Sequence, residues 1–222
     1  SLYKMPRKYF DQFGCVIGDE AHMFKAKSLT GIMTKMHNCK YRFGLTGTLD
    51  GTQTHQLVLE GLFGAAEKVV TTKELIDKST LANLKIKCLI LKHPNIKEKM
   101  TYAEELEYIV SNEKRIDFVV NLLRHLNGNT LCLFQLVEKH GKILNDKMKG
   151  SENVYFVYGG TDTSDREKIR GLVETHTKST TIASFGVFST GINIRNINNI
   201  VLASPSKSKI RVLQSIGRGL RR

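Results

Sequence analysis

Two adjacent carboxylates, Asp19 and Glu20, stand directly after a short apolar run, Cys15-Val16-Ile17-Gly18, and are followed by Ala21 and His22. Neighbouring side chains on an extended backbone project to opposite sides, so one carboxylate can hold a hard cation while the other faces a water. A magnesium ion bound through few carboxylates, and otherwise through waters and phosphate oxygens, needs such a site. Further along, Thr46-Gly47-Thr48 closes a second apolar segment that begins at Tyr41. Near the end of the chain runs Gln214-Ser215-Ile216-Gly217-Arg218-Gly219-Leu220-Arg221-Arg222, in which Arg218 and Arg221 are spaced to share one face of a helical turn. Two guanidiniums present planar forks of donors that suit phosphate oxygens, and Gly217 and Gly219 leave room for a ligand to approach the backbone. Taken singly, an acidic loop, a strand-end turn and a solvated basic helix end would read the same way. Their order along the chain carries the information.

The elements that must position these groups follow from hydrophobic pattern. Cys15 to Ile17 is apolar throughout, which predicts a buried strand of a parallel sheet. In such sheets ligand groups collect just past the carboxyl ends of the strands, where Asp19 and Glu20 fall. The spacing predicts a helix over Ser28 to Met36, a strand over Tyr41 to Leu45, a helix over Gln56 to Phe63 and a strand over Lys68 to Thr71. A domain junction is placed near Asp77 to Leu81. Beyond it come a strand over Leu84 to Leu91 and a helical stretch from Thr101 to Leu126, broken near Ser111-Asn112. The rhythm then alternates. Strands are expected over Thr130 to Phe134, Val154 to Val157, Thr180 to Ser184 and Asn199 to Ala203. Helices are expected over His140 to Met148, Thr163 to Glu174, capped by Thr163 or Ser164, and Lys207 to Ile216. This is the pattern of a parallel α/β domain covered by helices on both faces.

The chain has 222 residues, 41% hydrophobic and 25% charged, a globular composition with room for one large or two ordinary domains. No apolar run is long enough to span a bilayer, and residues 1 to 10 lack the apolar core of a signal peptide. The four cysteines are scattered without a CxxC pair, which favours reduced core thiols over zinc or disulfides. Net charge is +13. From Arg195 to the end there are 7 basic residues and no acidic one, which fits a polyanionic partner such as nucleic acid or nucleotide phosphates.

Read in order, these segments resemble the motor core of superfamily 2 helicases and translocases. Asp19-Glu20-Ala21-His22 is similar to the Walker B element (motif II) and Thr46-Gly47-Thr48 to motif III. Leu131-Cys132-Leu133-Phe134-Gln135 through His140-Gly141 resembles motif IV. Tyr158-Gly159-Gly160, with Arg166 beyond it, resembles the loop that follows. Ile182 to Ile194 resembles motif V and Gln214 to Arg221 motif VI. The wording of the last two is most like the UvsW-type phage recombination DNA helicases.

The resemblance implies an α/β fold of two RecA-like parallel-sheet lobes with ATP and Mg²⁺ between them. Residues 1–78 would be the C-terminal half of lobe 1 and residues 79–222 lobe 2. Asp19 would hold Mg²⁺ and Glu20 would orient or deprotonate the attacking water. Arg218 and Arg221 would reach the γ-phosphate as arginine fingers. His22 and Gln214 would report the nucleotide state, and Thr46, Gly47 and Thr48 would couple hydrolysis to lobe movement. Gly191 and Asn193 would lie near the nucleotide; many relatives carry an acidic residue where Asn193 stands. Gln135, His140, Gly160, Arg166, Ser184 and Thr190 would meet the nucleic-acid backbone. The implied partner is DNA, branched or single-stranded, with RNA as the alternative. The implied place of action is the cytoplasm, that of the host cell if the gene is a phage's. No GxxxxGK[ST] occurs, and Gly141-Lys142 lacks its surroundings, so the chain is expected to be the portion of a motor without its P-loop, hydrolysing ATP weakly or not at all by itself. The rival readings are an RNA helicase, a restriction or remodelling motor subunit, a non-catalytic nucleic-acid clamp, and a basic α/β scaffold for protein contacts.

Overall fold

The computed structural model describes residues 2–47, 53–92, 99–190 and 194–220. The chain divides into two compact units, Ser1–Thr71 and Thr72–Arg222.

In the first unit β1 (Cys15–Gly18) and β2 (Tyr41–Gly44) pair in parallel, with Cys15 opposite Tyr41 and Gly18 opposite Gly44. Between them lie a 3-10 turn, Ala21–Lys25, and helix α1 (Lys27–Lys35). Helix α2 (Gln53–Phe63) follows β2. The core gathers Phe10, Met33, Met36, Cys39 and Leu62, with Val16, Phe24 and Phe63 packed against it. Both strands end in glycine because the aromatic cover is close: a Cβ on Gly18 or on Gly44 would stand 2.9 Å from the Phe63 ring. Helices cover only that face. Ile17, on the opposite face, is 65% exposed and Phe43 beside it 53%. The expected burial of β1 on both faces is therefore corrected: among the described residues it belongs to a two-stranded sheet with one face open. Cys15 is likewise exposed, as is Cys88, whereas Cys39 and Cys132 are the core thiols.

No strand forms over Lys68 to Thr71, where one was expected; the second unit opens with α3 (Thr72–Asp77), and no strand forms over Leu84 to Leu91 either. Ile86 and Ile90 there are exposed. An apolar run becomes a strand only when a neighbour takes its N–H and C=O groups. Helix α4 (Tyr102–Ser111) starts with a capping box: Glu104 accepts the Thr101 N–H at 2.8 Å while the Thr101 hydroxyl accepts the Glu104 N–H at 3.4 Å. Asn112 ends α4 and caps α5 (Glu113–His125) by accepting the Arg115 N–H at 2.9 Å, which is the break read near Ser111-Asn112.

There follow β3 (Asn129–Phe134), a π-helical turn (Val137–Gly141), α6 (Lys142–Lys147), β4 (Val154–Val157) and α7 (Thr163–Thr175). The chain continues through β5 (Ser179–Ser184), α8 (Phe185–Thr190), β6 (Ile197–Leu202) and α9 (Lys209–Gly219). The residue before α7 is Asp162, not Thr163 or Ser164, and its side chain makes no capping bond.

The four strands form one parallel sheet in the order β4-β5-β3-β6. The central strands β3 and β5 are buried at every position. Alternation along β3 splits the core in two. Cys132 and Phe134 pack with Ile116, Val119, Val120 and Leu123 of α5 and Leu144 of α6; Leu131 and Leu133 pack with Val173 of α7 and Phe185 and Val187 of α8. Helices on both faces of a parallel sheet give the α/β class expected.

Candidate functional site

Parallel strands bring the groups that follow their carboxyl ends together. In the first unit the Leu45 N–H donates to Gly18 O and the Ala21 N–H to Leu45 O, both at 2.8 Å, so the segments after β1 and β2 run side by side. Glu20 sits in the left-handed region with φ 50°, a conformation that non-glycine residues adopt at a cost of about 1–3 kcal/mol and that clusters at functional sites. The Glu20 N–H donates to Asp19 Oδ1 at 2.8 Å. Both carboxylates stay exposed, whereas His22 is buried at 4% exposure. The His22 Nδ1 lies 3.0 Å from Thr46 Oγ1 and 3.2 Å from Glu20 Oε2. One imidazole thus ties the acidic segment to the hydroxyl segment, a contact the sequence did not announce. Gly47 is exposed; Thr48 lies outside the described residues. Asp19 offers hard oxygen at an open strand end, a donor type that suits Mg²⁺ retaining waters and phosphate oxygens.

In the second unit the expected nucleic-acid residues separate into two kinds. Gly160 is exposed, in a turn where the Tyr158 N–H donates to Thr161 Oγ1 at 3.1 Å and the Thr161 N–H to Tyr158 O at 3.0 Å. The half-buried Arg166 donates to Gly159 O at 3.0 Å, so its guanidinium holds that turn in shape. His140, by contrast, is fully buried. Its Nδ1 lies 2.8 Å from the Ser204 hydroxyl, and burial, aided by the Arg115 charge, pushes its pKa down to about 4. The ring presents no surface in this structure, and a neutral imidazole adds no charge. Ser184, at the end of β5, is 8% exposed. Gln135 is half-buried at the end of β3, and its N–H donates to Ser204 Oγ at 3.2 Å.

Gln214 and Arg218 lie one turn apart on α9, both half-buried. At Gly219 a Cβ would overlap the side chain of Ile200 of β6, so this glycine lets helix and strand approach. Gly217 has open space around its Cα. Arg221, Gly191 and Asn193 lie outside the described residues; Thr190 ends α8. Two residues that sequence reasoning missed emerge at the end of β6. Ser204 is buried between Gln135 and His140, and Arg115 donates to Ala203 O at 2.6 Å. A polar residue just past a strand's carboxyl end was the available signal for Ser204.

Comparison with known proteins bears on this arrangement. The model of the helicase conserved C-terminal domain matches residues 114–222. The chain is 37% identical over 231 aligned positions to the ATP-dependent DNA helicase UvsW of Enterobacteria phage T4, covering 100% of this chain and 46% of that protein. The chain therefore spans about half the length of this curated relative. Among solved structures, the DNA-bound Type ISP restriction-modification enzyme LlaBIII superposes with a TM-score of 0.64 at 16% identity, over 99% of this chain and 17% of that one. S. cerevisiae Dbp5 bound to RNA and ADP BeF3 superposes with a TM-score of 0.56 at 14% identity, over 92% and 49%. These two likenesses establish the fold, that of RecA-like helicase domains. These matches support a superfamily 2 helicase C-terminal core near UvsW, with the helicase conserved C-terminal domain over residues 114–222.

Proposed function

We propose that this chain is part of an ATP-driven DNA helicase or translocase that works on branched DNA, at forks and recombination intermediates in the cytoplasm. The observation that carries the proposal is the 37% identity to a phage DNA helicase along the entire chain, with Asp19, Glu20, His22 and Thr46 gathered at adjoining strand ends. In this reading residues 1–78 belong to one motor lobe and 79–222 to the next, and the P-loop is supplied outside these residues. The basic charge of +13 supports a polyanionic partner. The RNA reading draws on weaker likenesses: 23% identity over 96% of this chain to the putative ATP-dependent RNA helicase L396 of Acanthamoeba polyphaga mimivirus, and a fold shared at 14% identity with the RNA-bound Dbp5.

Mg²⁺, when bound, supplies charge that neutralises the developing phosphate oxygens. Asp19, whose carboxylate is exposed, would hold it through its water shell. Glu20 takes a hydrogen bond from the attacking water and orients it, while His22 fixes Glu20 from behind. Arg218 and Arg221 place positive charge where negative charge develops at the γ-phosphate, a contribution of several kcal/mol in such sites. Gln214 senses the nucleotide, and Gly191 and Asn193 line it. Thr46, Gly47 and Thr48 carry the change to the nucleic-acid side. There Gln135, Gly160, Arg166 and Thr190 position the backbone without reading sequence. No helix among the described residues is long and apolar enough to cross a membrane.

The deciding experiment is DNA-stimulated ATP hydrolysis by the complete protein, beside Glu20→Gln and Arg218→Ala. Turnover stimulated by forked DNA and abolished by both substitutions is expected. Binding of forked DNA without turnover in any of the three would instead establish a clamp.

A further inference from the structure

The β6–α9 connection is short, and its first residues are held with unusual completeness. The Ala203 N–H donates to Leu133 O at 2.9 Å. Arg115, from the first turn of α5, donates to Ala203 O at 2.6 Å. The next residue, Ser204, is 4% exposed and receives the Gln135 N–H at 3.2 Å. Its hydroxyl also shares a 2.8 Å hydrogen bond with His140 Nδ1, and either neutral tautomer of the imidazole sustains it. Pro205 then fixes one backbone dihedral. The Ser208 N–H donates to Ser206 Oγ at 3.3 Å, and Ser208 caps α9 by accepting the Arg211 N–H at 3.3 Å. The far end of α9 is set by Gly219 against Ile200 of β6. Helix α9, which carries Gln214 and Arg218, is thus registered at its start by a clamp on Ser204 and at its end by a glycine contact.

The clamp joins two segments that the proposed function assigns to different tasks. Gln135 and His140 belong to the end of β3 and the turn after it, on the nucleic-acid side. Gln214 and Arg218 belong to the nucleotide side. We propose that Ser204, held by His140, is a positioning residue for ATP hydrolysis: it fixes where α9 begins, and so where Arg218 stands, relative to the segment after β3. The inference rests on the reading of the protein as a nucleic-acid-stimulated ATPase. It assigns to His140 a role in place of phosphate contact. A fully buried imidazole whose Nε2 finds no hydrogen-bond partner among the described residues is costly to keep, and the Ser204 bond supplies the reason to keep it.

The test is steady-state ATP hydrolysis by the complete protein, with and without forked DNA, for wild type, Ser204→Ala, His140→Leu and His140→Asn. Direct DNA binding and a thermal melt are measured on each. Loss of one buried hydrogen bond from a positioned transition state corresponds to about tenfold in kcat. Ser204→Ala is expected to lower DNA-stimulated kcat by that factor, leaving KM for ATP and Kd for DNA within about twofold. His140→Leu should do the same. His140→Asn, whose amide nitrogen replaces Nδ1, should recover most of the rate. Ser204→Ala removes only one oxygen, so it remains informative where a His140 variant fails to fold. Wild-type kcat in Ser204→Ala overturns the inference, and so does a weakened Kd with kcat intact. Absence of hydrolysis by the wild type overturns the proposed function and this inference together, whereas an active wild type with an equally active Ser204→Ala overturns this inference alone.

Discussion

Gly141 offers a sharp test of the packing that supports the second unit. It stands between the turn after β3 and α6, with φ −59° and ψ −48°, so alanine meets no backbone strain there. Intrinsic preference favours the change: Gly→Ala inside a helix gains about 1 kcal/mol. Tertiary packing opposes it. A Cβ at Gly141 would stand 2.5 Å from Phe134 Cζ and 2.8 Å from Cδ2, closer than carbon atoms approach. The Phe134 ring has no exposed surface and stacks on Phe156 at 5.6 Å between centroids, so it has nowhere to turn. Overpacking of that kind costs about 1–3 kcal/mol. The clash should outweigh the propensity, leaving Gly141→Ala less stable by about 1 kcal/mol. For a chain of this size that is roughly 2–4 °C in Tm, readable by differential scanning calorimetry. Phe134→Leu in the same background should relieve part of the clash, so the double mutant should lose less than the sum of the two singles. A Gly141→Ala protein as stable as wild type, or more so, would refute the reasoning, because helix propensity would then have governed a site at which packing is said to rule.

Three further outcomes follow from individual side chains. His140 has its folded pKa lowered to about 4 by burial, while the unfolded chain titrates near 6.5. The unfolded state therefore binds the proton first, and stability should fall as pH drops from about 6.5 towards 4, by at most about 3 kcal/mol; His140→Asn should flatten that part of a urea-unfolding profile. Asn129 is buried, donates to Val173 O at 3.2 Å and His176 O at 2.9 Å, and accepts the Ser179 hydroxyl at 2.8 Å. Asn129→Leu strands those partners and should cost about 2–4 kcal/mol in urea-unfolding free energy, whereas an exposed Asn38→Leu should cost far less. Of the four thiols, Cys15 and Cys88 are exposed and should react with Ellman's reagent at once, while Cys39 and Cys132, the latter pushed up to about 12 by burial, should react only after denaturation.

Much of this protein could be read from local pattern. The β3 strand, the break near Ser111-Asn112, the β4 strand and the alternation of strand and helix through the second unit follow from apolar period and turn chemistry, which act over a few residues. So does the placement of Asp19, Glu20 and Thr46 just past strand ends, since parallel strands deliver such residues to one edge. The tertiary structure decided whatever depends on a distant partner. His140 reads as a polar residue available to a ligand, yet the fold encloses it against Ser204, 64 residues away. Gly219 reads as space for a ligand and is space for Ile200. Leu84 to Leu91 has a strand's composition and forms no strand, while β1, apolar enough to be buried, keeps Ile17 open. Composition sets what a segment can bury or bond; which surface and which partner it meets is set by segments far along the chain, whose approach no local window contains.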